Sequence, residues 1–421
     1  MTSSEPSFLA TRMVLGQMLG VLSYAILFIL CSLIAWALYY DITRTHLPPG
    51  ISYTAKLRLA SILVNIFFGL ALILEKLRIC QRYKVWRLIF NGIPTTKCTT
   101  LIIKDLLFDN VTVRVYWPKT PAASNRRGMV FIPGGLAIFA GIKGYERVCR
   151  HIALKSDTVV VSVGCREAPE HPPPSQQLDC ITATVHFLKN AQEYGVDPHR
   201  ISVGGDSSGG TFAATVCQRL ATRKDIPRLR AQLLFYPFLQ AFDFNLPSYQ
   251  QNESVPPLFK KRMLKFGLQY LNEEFKDLEG MMRNAHVARE MEPKYRKWIH
   301  ADYIPEEFKA RGYVPVAPAP FSEKLHEVIK GCLEDVLSPL VAEDDVIHEL
   351  PETFILTCEY DVLRDDGLLY KKRLEDNGVP VTWHHSKDGV HGILYPVDCG
   401  PLQFPNTQPS FHHIIHFLKR L

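Results

Sequence analysis

The sequence has no run of lysine or arginine longer than three residues, no CxxC pair, no low-complexity tract and no internal repeat of the roughly 20 to 50 residues used by solenoids and propellers. Each absence removes a class. A formal charge of +6 spread thinly over 421 residues, with no basic stripe interleaved with aromatics, argues against a nucleic-acid partner. Ten scattered cysteines without paired spacing fit neither a zinc site nor a thioredoxin-type centre. They permit disulfides without requiring them, and Cys358 lies three residues before a candidate acid, Asp361, with no partner that spacing can choose. What is present is a hydrophobic content of 47%, enough for a full core in one large α/β domain or two ordinary ones.

Charge is missing in another sense from Val14 to Tyr40, where no side chain is ionisable as acid or base at neutral pH. The run exceeds the roughly 20 residues that cross a bilayer, and Trp36, Tyr39 and Tyr40 stand at one end as interfacial aromatics do. A cleaved signal peptide has a shorter apolar region, of about 7 to 15 residues, and a buried helix rarely stays apolar on every face. The expected organisation is therefore a short N-terminal tail (1–13), a transmembrane signal anchor (14–40) and membrane-proximal or cap helices (41–100). A second apolar run, Leu59 to Leu74, lies between Arg58 and Glu75 and contains Asn65. It is short for a span and is expected to lie on the membrane or cover an active-site entrance. Lys/Arg counting, with Arg12 before the anchor and Arg44, Lys56 and Arg58 after it, places the bulk of the chain in the cytoplasm. Two sequons, at Asn110 and Asn252, point the other way. The residues leave orientation open.

From residue 101 to 421 the pattern changes to apolar strands alternating with helices: LIIKDLLF and VTVRVYW around Asp109 and Asn110, then GMVFIP, DTVVVSVG, RISVGG, AQLLFYPF, ETFILTCEY and VPVTWHH. Helical text, such as Gln177 to Gly195 and Gly210 to Arg223, intervenes. This predicts an α/β fold with a mostly parallel sheet covered on both faces. Residues of about 241–350 are polar and proline-bearing, and read as a helical cap inserted into the domain.

The stretch RISVGGDSSGGTFAATV places Gly205-Asp-Ser207-Ser-Gly209 between an apolar strand and a helix of small residues. That is the context of a nucleophile elbow, in which a tight strand-to-helix turn lifts the serine hydroxyl above the sheet edge. A serine needs a base to take its proton and a carboxylate to orient that base. His391 follows a strand on the DGVHG loop, whereas His384 and His385 lie within the strand. Asp361 ends the strand ETFILTCEY, while Asp365 and Asp366 occupy positions where carboxylates cap a helix. Ser207, Asp361 and His391 occur in the chain order Ser…Asp…His.

A developing oxyanion needs preorganised N–H donors. Ser208 would supply one, and the Pro133-Gly134-Gly135-Leu136 loop after GMVFI would supply others from Gly134, Gly135 and Leu136. No metal or cofactor is expected for such chemistry.

With these motifs in view, the chain resembles the hormone-sensitive-lipase-type α/β-hydrolases and, within them, the arylacetamide deacetylase family, nearest its deacetylase-like 4 group. The likeness extends along the whole length, through the anchor, AKLRLASILVN, CREAPEHPPP (for the family's YRLAPEHPFP), GGDSSGG, YDVLRDDGLLYKKRLEDNGV and DGVHG. It implies an α/β-hydrolase fold, nucleophile, acid and base at Ser207, Asp361 and His391, and a single-pass type II anchor with the catalytic domain in the endoplasmic reticulum lumen. The implied activity is that of a carboxylesterase, deacetylase or lipase-like serine hydrolase, acting on small lipophilic esters or amides without an obligate protein partner. One departure stands out. The family's HGGG is PGGL here, which leaves two expectations: an altered but working cradle, or a catalytically impaired scaffold that binds a lipophilic ligand.

Overall fold

Runs of valine, isoleucine and leucine buried on both faces favour a parallel sheet between helical layers. The computed structural model describes residues 5–92, 98–121, 124–139, 141–273 and 277–421, and each expected strand is present. They are β1 (Leu101–Phe108), β2 (Val111–Pro118), β3 (Arg126–Ile132), β4 (Thr158–Gly164), β5 (Val196–Asp206), β6 (Ala231–Phe235), β7 (Glu352–Tyr360) and β8 (Val381–Val390). They form one sheet of order β1-β2-β4-β3-β5-β6-β7-β8. The pairs β1–β2 and β2–β4 are antiparallel, and β4 through β8 run parallel in the sheet. The carboxyl ends of β5, β7 and β8 therefore emerge on one edge, bringing residues 206–208, 361 and 391 together.

Helices α4 (Glu146–Ser156) and Thr407–Arg420 cover one face. Helices α5 (Ser175–Lys189), α6 (Ser208–Leu220) and Arg364–Asp376 cover the other. Between β6 and β7 the described residues form short helices, including α7 (Pro247–Gln251) and α8 (Lys260–Tyr270), with no sheet strand.

The amino-terminal part is more helical than its sequence suggests. Residues 1–4 of the expected tail lie outside the described residues, and its remainder belongs to α1 (Glu5–Arg44). Side chains from Met13 to Ser32 stand almost entirely clear of the protein, whereas Leu33, Ala37 and Asp41 are buried. The run around Leu59–Leu74 is not short: α2 extends from Thr54 to Lys76. Its charged first turns are tolerated because Arg58 pairs with Asp41 at 2.7 Å and Lys56 donates to the Gln403 carbonyl at 2.8 Å. Both α1 and α2 are long and apolar enough to cross a membrane, but α2 rests on the protein. Its Gly69 lies against Leu33 and Trp36, leaving no room for a Cβ, and its Asn65 accepts from Arg262 of α8. Helix α3 (Arg82–Asn91) then turns back onto the domain through Tyr83, Val85 and Trp86.

Candidate active site

At the β5–α6 junction Ser207 has φ 55° and ψ −124°, a conformation that costs a non-glycine residue on the order of 1–3 kcal/mol and persists only where packing imposes it. Packing does so here. A Cβ at Gly209 would come within 2.1 Å of the Ile132 carbonyl oxygen, and one at Gly205 within 2.4 Å of the Gly209 carbonyl oxygen. The first turn of α6 is thus pressed against β3 and β5. The Ser207 N–H donates to the Phe235 carbonyl at 2.9 Å, while its own carbonyl accepts from Gly210 at 3.0 Å.

The structure brings together the three residues the sequence selected. His391 Nε2 lies 3.0 Å from Ser207 Oγ, and His391 Nδ1 lies 2.8 Å from Asp361 Oδ2. A carboxylate can only accept, so the Nδ1 proton points to Asp361 and leaves Nε2 free to accept from the serine. Asp361 is buried, and its second oxygen accepts from the Leu363 N–H at 2.9 Å. Tyr236 packs edge-on against the imidazole, with ring centroids 5.1 Å apart. His384 stacks on His413, and His385 pairs with Glu359, both outside this constellation.

Several supports escaped sequence reading. Asn252, expected as a glycan acceptor, is fully buried: its Nδ2 donates to the Glu359 carbonyl at 3.1 Å and the Asp361 carbonyl at 2.9 Å. The atom a glycan would need is thus engaged in holding the acid's loop. Asn110, by contrast, is exposed in the β1–β2 turn. Asp365 and Asp366 are more than helix caps. Both are buried; Asp365 accepts from the Ser248 N–H at 2.7 Å, and Asp366 from the Leu239 N–H at 2.8 Å and Tyr249 at 3.0 Å. They fasten the acid's helix to the chain leaving β6. Cys358 is a buried free thiol, and the two sulfurs in contact are those of Cys165 and Cys180, 3.2 Å apart.

The Pro133–Leu136 loop departs from expectation at two of its three N–H groups. Gly134 donates to Asp206 Oδ1 at 2.9 Å, so its N–H is already used. Leu136 donates to Ser208 Oγ at 2.7 Å. Gly135, Leu136 and Ala137 all have positive φ, of 86°, 55° and 53°, an unusual conformation for leucine and alanine. The hydroxyl of Ser208 therefore pins a left-handed turn. Among the described residues the Gly135 and Ser208 N–H groups have no recorded acceptor. Asp206 also accepts from Tyr145 Oη at 2.8 Å, tying the loop to α4. A cavity of about 410 Å³ adjoins the loop, walled largely by Pro133, Ala137, Phe139, Val163 and Phe212.

Known proteins share this fold. The sequence profile of the α/β-hydrolase fold matches residues 129–293 and 324–395. Human arylacetamide deacetylase-like 3 is 40% identical over 92% of this chain and 95% of its own length, and human arylacetamide deacetylase-like 4 is 39% identical over 91% and 94%. Bovine arylacetamide deacetylase is 38% identical over 72% of this chain and 77% of its own. Among solved structures, DphMB1 has a TM-score of 0.59 at 27% identity, covering 80% of this chain and 90% of its own. An esterase of Pyrobaculum calidifontis shares the fold with a TM-score of 0.59 at 23% identity, over 84% of this chain and 97% of its own. The class is thus that of the α/β-hydrolases. Within it the chain belongs to the arylacetamide deacetylase family, whose deacetylase-like 3 and 4 members it resembles about equally.

Two buried carboxyls beside the site give a pH prediction. Burial pushes Asp206 up from 3.8 to about 6 and Asp366 up from 3.8 to about 7, although both accept hydrogen bonds that act the other way. A carboxyl whose folded value is raised contributes stability that is fully present below its unfolded value and is lost as pH rises through the folded value. Asparagine removes the charge and keeps one of the two acceptor oxygens, a loss that is the same at every pH. The melting temperature of Asp206→Asn plus Asp366→Asn, minus that of the unsubstituted chain, should therefore increase between pH 4 and pH 8, as thermal unfolding at each pH will show.

Proposed function

We propose that the protein is a membrane-anchored serine hydrolase, of the carboxylesterase, deacetylase or lipase-like kind, that cleaves small lipophilic esters or amides through an acyl-enzyme on Ser207. The observation that carries the reading is the unbroken line from Ser207 Oγ through His391 to Asp361, with links of 3.0 and 2.8 Å. His391 Nε2 takes the hydroxyl proton as Ser207 Oγ attacks the carbonyl carbon. Asp361 holds the ring and stabilises the imidazolium that forms. The Gly135 and Ser208 N–H groups receive the oxyanion, the leaving group takes the proton from His391, and water repeats the attack on the acyl-enzyme.

The names of the relatives support ester or amide substrates, and the apolar walls near the loop support a lipophilic group on them. The apolar, unpacked stretch of α1 supports a single-pass anchor. We place the hydrolase domain, with the segment of about residues 241–350 as its cap, in the endoplasmic reticulum lumen as a type II protein. Asn110 is then the one of the two sequons open to glycosylation. The two occupied loop donors favour one second reading, a lipophilic-ligand binding protein on an impaired hydrolase scaffold.

Hydrolysis of p-nitrophenyl esters by the detergent-solubilised full chain separates the two readings. Ser207→Ala and Asp361→Asn should each lower kcat by about 10⁴-fold if the triad acts as a unit, whereas no Ser207-dependent turnover would favour the binding protein. Ser208→Ala should lower kcat/KM about fivefold, because the turn that carries the Gly135 N–H loses a neutral hydrogen bond worth about 1 kcal/mol at Leu136. A rise would instead show that the Leu136 N–H, once released, joins the oxyanion donors. For topology, glycosidase treatment should shift the mobility of the unsubstituted chain and of Asn252→Gln, but not of Asn110→Gln.

A further inference from the structure

The α2–α3 turn lies beside the exposed, apolar part of α1. Helix α2 runs antiparallel to α1: Arg58 meets Asp41, and Gly69 meets Leu33 and Trp36. The protein's own packing on α1 stops at Leu33, and the side chains between it and Met13 are left for another solvent. Beyond Gly69, α2 continues for seven residues to Lys76, which at 1.5 Å per residue carries its end about 10 Å further along the uncovered part of α1. The turn that follows presents Leu77 at 62% exposure and Ile79 at 66%, and α3 adds Leu88 at 74%.

Cations surround this apolar tip. Lys76, Arg78 and Lys84 are exposed, as are Lys261 and Lys265 on α8, and none of the five has an ion-pair partner recorded among the described residues. Burial and the fields of Lys261, Arg262 and Arg82 lower the Lys265 ammonium, which sets α8 beside the start of α3; Arg82 there is paired with Glu75 at 2.5 Å, so the net positive charge of the rim comes from the five exposed cations.

Resting on the reading of α1 as a membrane span, we infer that the α2–α3 turn is a second membrane contact, dipping into the leaflet beside α1 while its basic rim engages anionic lipid headgroups. The tip lies about 10 Å beyond Leu33, at the limit of what interfacial helices reach, roughly 5–10 Å, and the long stems of Lys76 and Arg78 carry their charges back toward the headgroups. The contact bears on the chemistry because the other side of α3 holds the loop beyond Gly135. Arg87 donates to the Ile138 carbonyl at 3.1 Å, and Asn91 Oδ1 accepts from the Gly141 and Gly144 N–H groups at 2.9 and 3.1 Å. Phe68 and Trp86 bridge from these helices to Phe139 with ring separations of 6.4 and 5.1 Å. An aromatic path thus joins the leaflet contact to the cradle.

The test uses the full chain in phosphatidylcholine vesicles with and without phosphatidylserine. Ile79→Trp is introduced, and its emission is taken as the difference from the unsubstituted chain. Lipids brominated at shallow acyl carbons should quench it, more strongly with phosphatidylserine. Lys76→Gln with Arg78→Gln and Lys84→Gln should abolish that added quenching. An unquenched emission overturns the inference, whether it is water-like or blue-shifted because a second copy of the chain covers the tip. Ester hydrolysis in the same vesicles keeps the two readings apart: turnover without quenching defeats the membrane contact alone, and quenching without Ser207-dependent turnover defeats the hydrolase alone.

Discussion

A backbone held at φ 55° at Ser207 dictates where every other part of the site must be. The conformation is unfavourable for serine and is imposed by the collision of α6 with β3 and β5, where Gly205 and Gly209 leave no space for a side-chain carbon. Relaxing the turn would require α6 to lift off the sheet and uncover the apolar layer beneath it. The strain is therefore retained by the core, and the hydroxyl projects over the sheet edge where β7 delivers Asp361 and β8 delivers His391. Position is set by packing, and chemistry follows from position.

The same economy governs the loop after β3. Proline and leucine at its ends remove a side-chain anchor and a free glycine, and the turn is stabilised by other means: Asp206 grips Gly134, and Ser208 Oγ grips Leu136. Both gripping residues flank the nucleophile in sequence. The cradle is thus fastened to the elbow itself, so the distance between nucleophile and oxyanion donors is short-range and stiff. Its cost is that two N–H groups are used in the fastening, so that in the proposed hydrolase Gly135 and Ser208 are the donors left to meet the developing charge.

Much of this was legible in advance. Eight strands are marked by apolar runs bounded by turn residues, and Ser207, Asp361 and His391, singled out by their order at strand ends, lie within hydrogen-bond distance of one another in the line Ser–His–Asp. What stayed hidden depends on contacts between distant residues. Asn252 looked like a surface sequon because its tripeptide carries no sign of the buried carbonyls of Glu359 and Asp361 that it serves. Asp365 and Asp366 looked like caps, since position at a helix start does not disclose that the chain leaving β6 folds down onto them. Helix α2 runs past the charges that bound its apolar stretch, because an ion pair to Asp41 neutralises Arg58. The Ser208 hydroxyl gave no signal, since its partner lies 72 residues earlier.

Helices α1 and α2 are long and apolar enough to cross a membrane, and α3 holds the loop after β3 through Arg87 and Asn91. In the proposed membrane-anchored hydrolase that geometry suits a substrate delivered from lipid to a serine held rigidly above the sheet. The most direct measurement of the central claim is peptide mapping of the folded full chain after reaction with a fluorophosphonate. The account predicts a single phosphonyl adduct on the Ser207 hydroxyl. An unmodified Ser207 in folded protein, or an adduct on a different residue, would contradict it.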